Sequence, residues 1–261
     1  MTNIKDRNYY ENEATEEEFL KWYKEQDLQT YEKPSVTIDN LLFAFDRETD
    51  EIKMLLIQRK NHPFKGKWSL TGGFVNPTED TTSACLRETK EEVGLTLTGE
   101  QTEQLYTFSK PGRDPRTWII SVAHLTFLPE LVEGVASDDA EHAAWFTLGV
   151  DEDEKVTLTN GDTVLTIEND KEENNLLAFD HAEIIQMAIK RIKGKLHYQP
   201  TILHILGDTF ILNDIRKVFA VFEGVDYKTI DRTNFRRTNG HLFEKVGRLN
   251  DARGTLTYKL K

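Results

Sequence analysis

Glu88, Glu91 and Glu92 stand at i, i+3 and i+4 within Thr81 to Val93, a stretch that reads as a helix and is stopped by Gly94. On a helix these glutamates project from one face within a single turn, where three like charges repel. A hard divalent cation would turn that repulsion into attraction, because Mg2+ takes carboxylate oxygens and carries its own waters to a phosphate. Just upstream, Gly72 and Gly73 offer backbone with no side chain to hold a metal or phosphate at a distance. Helix and glycine pair together point to metal-assisted attack on a phosphate. The competing reading is an exposed acidic helix with nothing bound.

The elements that must position these groups alternate between strand and helix periods. Val36 to Phe45 and Ile52 to Gln58 read as a hairpin across the polar stretch 46–50, and strand-like runs follow at Glu103 to Phe108, Thr117 to Leu128 and Ala143 to Leu148. Lys155 to Ile167 is β-rich around Asn160-Gly161, a pair that favours a tight type I′ turn. Asp180 and Glu183 are placed as caps of a helix whose Ile185, Ala188, Ile189 and Ile192 share one face, with Gly194 past its end. Strands with sparse helices predict a mixed α/β or α+β domain. Ahead of it, Ala14 to Leu28 reads as a short amphipathic helix with a Thr15–Glu18 capping box and Phe19, Trp22 and Tyr23 on one face.

The stretch from Gly73 to Leu95 resembles the Nudix box, G-x5-E-x7-R-E-U-x-E-E-x-G-U with U a bulky aliphatic residue. Gly73, Glu79, Arg87, Glu88, Glu91, Glu92, Gly94 and Leu95 match at the right spacing, and only Thr89, at the first U, departs. That side chain is expected to face the core, so the departure implies a packing adjustment rather than lost activity. The resemblance implies a Nudix hydrolase domain, an α/β/α sandwich with a mixed sheet, that splits a nucleoside diphosphate linked to another moiety. It implies that Glu88, Glu91 and Glu92 bind Mg2+ or Mn2+ with the Gly73 carbonyl as a further ligand, and that Arg87 pairs with Glu79 to hold the loop in shape. Which carboxylate acts as base stays open, and Glu141 is a candidate outside the box.

Two guanidinia on one short loop, Arg113 and Arg116, could grip a diphosphate bidentately; the alternative is an Asp-Pro turn with solvated arginines. The candidate substrate-binding residues are Arg59, Gly72, Gly73, Arg113 and Arg116. Trp68 to Phe74, Glu103 to Arg116 and Ala178 to His181 are similar to a Nudix subgroup that holds ADP-ribose pyrophosphatases and Nudix-related regulators of NAD metabolism. ADP-ribose, cut to AMP and ribose 5-phosphate, is the substrate this resemblance implies. His181 is read as shaping only a helix start, and Cys85 as a small core residue.

The C-terminal region differs in charge. Residues 201–261 hold 11 Lys/Arg and 7 Asp/Glu, against 22 and 38 in the rest. Pro200 to Leu206, Asn213 to Phe222 and the segment from Asp231 to Thr238 read as helices, and Leu242 to Val246 with Thr255 to Leu260 as a hairpin. Three helices and a hairpin spell a winged helix-turn-helix, in which the third helix can enter a major groove and Arg232, Arg236, Arg237, Arg248 and Arg253 would meet duplex DNA. The segment Asp231 to Arg237 is similar to the recognition helix of the Nudix-related regulators, so an ADP-ribose-sensing transcriptional regulator is the alternative function. A third reading makes the region a dimerisation appendage.

The expected organisation is an N-terminal helical extension (1–34), a Nudix hydrolase domain (35–195) and a winged-helix domain (196–261). The resemblance also implies a homodimer. The 261 residues are 38% hydrophobic and 30% charged, with only 15 Gly and 7 Pro, which excludes collagen, coiled coil and wholesale disorder. A single cysteine excludes an internal disulfide, and neither a signal core nor a run near the roughly 20 apolar residues of a membrane span is present. A cytoplasmic protein with no membrane partner is expected.

Overall fold

The computed structural model describes residues 6–26, 31–131, 140–252 and 254–261, without the side chains of 140 and 141. Arg253 and the side chain of Glu141 therefore lie outside the described residues. Met1–Lys33 and Pro34–Lys261 form two compact units. The first carries α1 (Arg7–Asn12) and α2 (Glu16–Glu25), and the Thr15–Glu18 capping box expected from sequence closes the start of α2.

In the second unit, β1 (Ser35–Asp46) and β2 (Glu51–Arg59) form the expected hairpin. β3 (Trp68–Ser69), β4 (Thr102–Phe108), β5 (Ile119–Leu128), β6 (Ala140–Val150), β7 (Val156–Asn160), β8 (Thr163–Glu168) and β9 (Lys171–Glu172) complete a sheet of order β4-β5-β1-β2-β6-β7-β8-β9, with β3 on β2. Among the strand pairs of the described residues, β1–β5 alone is parallel. β1 is accordingly buried along nine consecutive residues, as a strand covered on both faces must be. This is the mixed sheet of the α+β expectation.

Helices α3 (Thr81–Val93) and α4 (His181–Lys195) position the site. Asp80 accepts the Ser83 N–H at 2.7 Å to start α3, and Gly94 ends it at φ 73, a backbone that costs about 1–2 kcal/mol with a Cβ. Thr89, the departure from the box, is fully buried. Its hydroxyl donates to the Cys85 carbonyl at 2.8 Å and accepts from Asn40 Nδ2 at 3.0 Å, while Asn40 Oδ1 accepts from Thr126 at 2.8 Å. The adjustment is thus a polar peg joining α3 to β1 and β5, where an aliphatic residue would only pack. Thr89→Val should destabilise the protein by about 1–3 kcal/mol, because it strands a buried amide donor; urea unfolding measures it.

Two local expectations need correction. The β7–β8 turn is centred on Gly161 and Asp162, one residue later than predicted, since Asn160 pairs with Thr163. Asn160 is held in the strand by a 2.9 Å bond from its Nδ2 to the Trp145 carbonyl. Asp180 makes no capping bond to α4, because its carboxylate is engaged elsewhere, and α4 runs through Gly194 instead of ending before it.

The core continues into the C-terminal region. A 3-10 turn, Thr201–Leu206, replaces the first expected helix and is followed by α5 (Leu212–Glu223) and α6 (Arg232–Asn239). The hairpin β11 (Phe243–Arg248) and β12 (Leu256–Leu260) gains a third strand, β10 (Phe210–Ile211), which two residues are too few to announce in sequence. Phe219 and Phe222 of α5, Phe235 of α6 and Tyr258 of β12 belong to the same buried cluster as Phe43, Phe146 and Ile189. Among the described residues no helix is long and apolar enough to cross a membrane.

Candidate active site

Gly72 and Gly73 follow β3 and run beside the first half of β1, with Gly73 O accepting the Ile38 N–H at 2.9 Å and Asn40 N–H reaching Thr71 O at 2.8 Å. This places them against α3. The Gly72 N–H donates to Glu92 Oε2 at 2.7 Å. A Cβ on Gly73 would sit 2.3 Å from the Glu88 carboxylate, and one on Gly72 would sit 2.1 Å from the Ile38 carbonyl oxygen. Both positions therefore need glycine, for different reasons. Gly73→Ala meets the end of a flexible side chain, so it should fold normally while displacing Glu88 and lowering the affinity of these carboxylates for Mn2+ about 10–100-fold, the range for changes that disturb a ligand's setting. Gly72→Ala meets backbone and should cost about 1–3 kcal/mol of stability by overpacking. Thermal unfolding and Mn2+ titration of the two variants separate these effects.

Arg87 organises the loop as the box predicts. Its guanidinium binds Glu79 twice, at 2.7 and 3.1 Å, and reaches the Phe74 carbonyl at 2.9 Å. These bonds to Arg87 hold the Glu79 carboxyl well below its usual range, at about 2, and raise the pKa of Arg87 itself. The same guanidinium also binds Glu88 at 2.7 Å and Glu91 at 3.0 Å. Among the described residues no three acidic, histidine or cysteine side chains close on one point, because Arg87 draws Glu91 outward, where it is 59% exposed. The structure thus brings Glu88 and Glu92 together at the glycine loop and leaves Glu91 at the rim, a correction to the expectation of three carboxylates aimed alike.

The two inner carboxylates fit a hard dication. Burial pushes the Glu92 carboxyl up to about 8 against its bond from Gly72, with the neighbouring Glu88 charge adding to the rise. Burial raises Glu88 as well, though Arg87 opposes it. Two acidic groups desolvated side by side are costly unless a cation offsets them.

The pocket above these groups has a volume of about 910 Å³. Arg59, Arg113 and Arg116 all line it, with different partners. Arg113 is 5% exposed and committed to two carboxylates, binding Asp180 at 2.6 and 2.8 Å and Asp39 at 3.1 Å. Arg116 is fixed by a fork to Asp114 at 2.7 and 3.0 Å. Its guanidinium lies 5.7 Å from the Phe74 ring centre and 5.8 Å from that of Phe179. Arg59 lies over the same Phe179 ring at 4.9 Å. Phe179 has φ 51, a backbone conformation that non-glycine residues hold only when their surroundings enforce it. Its aromatic ring and these cations make a ledge suited to a flat or anionic ligand.

Sequence reasoning missed Asp39, Asp114 and Phe179, which belong to no spacing motif. His181 needs a larger correction: it is buried, accepts the Leu70 N–H on Nδ1 at 3.0 Å and places Nε2 3.3 Å from Asp39. Cys85 is buried with Ile38 and Ala84, and burial pushes its thiol up to about 12, which is a core residue's behaviour. In the C-terminal region Arg232, Arg236, Arg237 and Arg248 are exposed, the first three on α6 and the last on β11.

The sheet, the box helix and this pocket define a Nudix protein, and the NUDIX domain family matches residues 33–162. The chain is 36% identical over 170 residues to the ADP-ribose pyrophosphatase of Methanocaldococcus jannaschii, covering 62% of this chain and 79% of that one. The chain belongs to the Nudix family. It is also 27% identical over 228 residues to the ADPR-responsive transcriptional repressor NtrR of Acinetobacter baylyi, covering 87% and 79% of the two chains. A MutT/nudix family protein from Enterococcus faecalis has the same fold throughout, with a TM-score of 0.92, 42% identity and coverage of 100% and 99%.

Proposed function

We propose that this protein is a divalent-metal-dependent pyrophosphohydrolase acting on a nucleoside diphosphate derivative, with ADP-ribose as substrate and AMP and ribose 5-phosphate as products. The observation that carries this reading is the pair of desolvated carboxylates, Glu88 and Glu92, facing glycine backbone at the floor of a pocket rimmed by arginine. Glu88 and Glu92, with Glu91 rotated inward from Arg87 and the Gly73 carbonyl, would hold Mg2+ or Mn2+. What the bound cation supplies is neutralisation of the pyrophosphate oxygens and a more acidic attacking water. The chain's own residues orient the rest: Arg116, pinned by Asp114, offers Nη1 to the substrate, and Arg59 lends positive charge beside Glu92. Glu91, exposed and bound to Arg87 at 3.0 Å, would join the ion by turning away from that contact. The name borne by the Methanocaldococcus relative supports the choice of substrate.

A panel of nucleoside diphosphate compounds with Mg2+ and Mn2+, followed by product analysis, tests the proposal. ADP-ribose should be turned over with the highest kcat/KM. No cleavage of any member with either ion would remove the hydrolase reading.

A second reading rests on a separate observation, the arginine-bearing exposed face of α6 with a hairpin beside it. In this reading residues 196–261 form a winged-helix domain that binds duplex DNA as a symmetric dimer, and ADP-ribose in the pocket is the signal. The Acinetobacter relative, whose match extends past the Nudix domain, supports it. Both activities can reside in one chain, because they use different residues.

A further inference from the structure

Leu70 leaves the sheet immediately after β3 and leads within two residues to the glycine pair. Trp68, two residues earlier, is held along one edge by the approach to α4: its N–H reaches the Leu176 carbonyl at 2.8 Å and its carbonyl receives the Ala178 N–H at 2.8 Å. The next available donor along the loop, Leu70 N–H, has no ladder partner. It donates instead to His181 Nδ1 at 3.0 Å. Because an N–H donates there, Nδ1 carries no proton, and Nε2–H is the donor to Asp39 Oδ1 at 3.3 Å.

Asp39 is itself fully committed. Its Oδ2 accepts Ser121 Oγ–H at 2.5 Å and Arg113 Nη2–H at 3.1 Å. Burial works against its charge, but hydrogen bonds from His181 and Ser121 and the Arg113 charge hold its carboxyl below the ordinary range, so it accepts from Nε2–H. Arg113 in turn fixes Asp180, the residue before His181. The imidazole is therefore gripped from the far side by a chain through β1, β5 and the Arg113 loop, and its near side meets one backbone amide of the loop that builds the floor of the pocket.

We propose that His181 is the positioning residue of the glycine loop: through the Leu70 N–H it sets where Gly72 meets Glu92 and where Gly73 yields space to Glu88. It acts through that backbone and touches no reacting atom. The inference rests on the metal-dependent hydrolase reading for its effect on turnover, while its structural content stands on the loop alone. His181 also lies against Phe179, with ring centres 5.4 Å apart, so the pocket ledge and the floor share one anchor.

Two substitutions divide the imidazole into its halves. In His181→Asn the amide oxygen takes the place of Nδ1, keeping an acceptor for Leu70 but losing Asp39. In His181→Gln the amide nitrogen takes the place of Nε2, keeping Asp39 but losing Leu70. In metal-free protein, Leu70 to Gly73 amide hydrogen exchange should accelerate about fivefold or more in the Gln variant, the equivalent of one net hydrogen bond, and stay close to wild type in the Asn variant. Mn2+ affinity by electron paramagnetic resonance and kcat should fall about 10–100-fold in the Gln variant with KM little changed, the range seen when a ligand's support is removed. Wild-type protein provides a check that needs no variant: nitrogen NMR should find the His181 proton on Nε2.

A His181 proton on Nδ1, or unchanged exchange and Mn2+ affinity in the Gln variant, would overturn the inference. Equal losses in both variants that track their melting temperatures would reduce His181 to packing and overturn it too. If wild-type protein neither binds Mn2+ nor cleaves ADP-ribose, the hydrolase reading fails and the turnover arm with it, whereas the exchange and NMR results still decide the loop.

Discussion

Glu92→Gln is expected to abolish metal-dependent cleavage while leaving the protein folded and, without metal, more stable. The amide keeps an oxygen for the Gly72 N–H, now 2.7 Å away, and is neutral in folded and unfolded chain alike, so burial no longer penalises it. Activity should fall by more than about 100-fold, beyond the upper end for outer-shell changes at metal sites, since a ligand's charge itself is lost. The stability change has a pH signature. With the folded carboxyl near 8 and the unfolded one at its ordinary value of 4.5, the folded state holds a proton that the unfolded chain has released. Wild-type metal-free protein should therefore lose stability as pH rises between these values and level off above them. The Gln variant should lack this slope. Parallel melts in EDTA across pH 4–9, with kinetics at saturating Mg2+, check both halves. An active Gln variant would show that Glu92 holds no ion.

The second large effect concerns the C-terminal region. Arg236→Ala together with Arg237→Ala should weaken duplex binding by at least tenfold and flatten its dependence on salt by about two in the log–log slope, one for each phosphate-neutralising guanidinium removed. Folding should be untouched. Both side chains are exposed, and among the described residues the only side-chain hydrogen bond either makes is that of Arg237 to Asn234 at 2.7 Å, worth a few tenths of a kcal/mol on a helix surface. α6 itself is held by the buried Phe235 and by its Asp231 cap, which accepts the Asn234 N–H at 2.7 Å. Fluorescence anisotropy at several salt concentrations measures both quantities. Wild-type protein that shows no binding at low salt leaves the region as an appendage.

Much of the site was legible because its logic is local. Glu88, Glu91 and Glu92 share a face through helical spacing, Asp80 and Gly94 bound that helix through capping chemistry, and Arg87 reaches Glu79 across one turn and a loop. Each follows from distances of a few residues along the chain, where backbone geometry alone brings groups together. Sequence therefore determined the family, the box and the order of elements. Tertiary structure decided which charges remain free to meet a ligand. Arg113 and Asp180 lie 67 residues apart, Arg113 and Asp39 74 apart, and Leu70 and His181 111 apart. These pairs form only where the parallel β1–β5 centre and the start of α4 converge. There a buried carboxylate or imidazole must find partners, since desolvation leaves no unpaired alternative, and no spacing along the chain records which partner it takes.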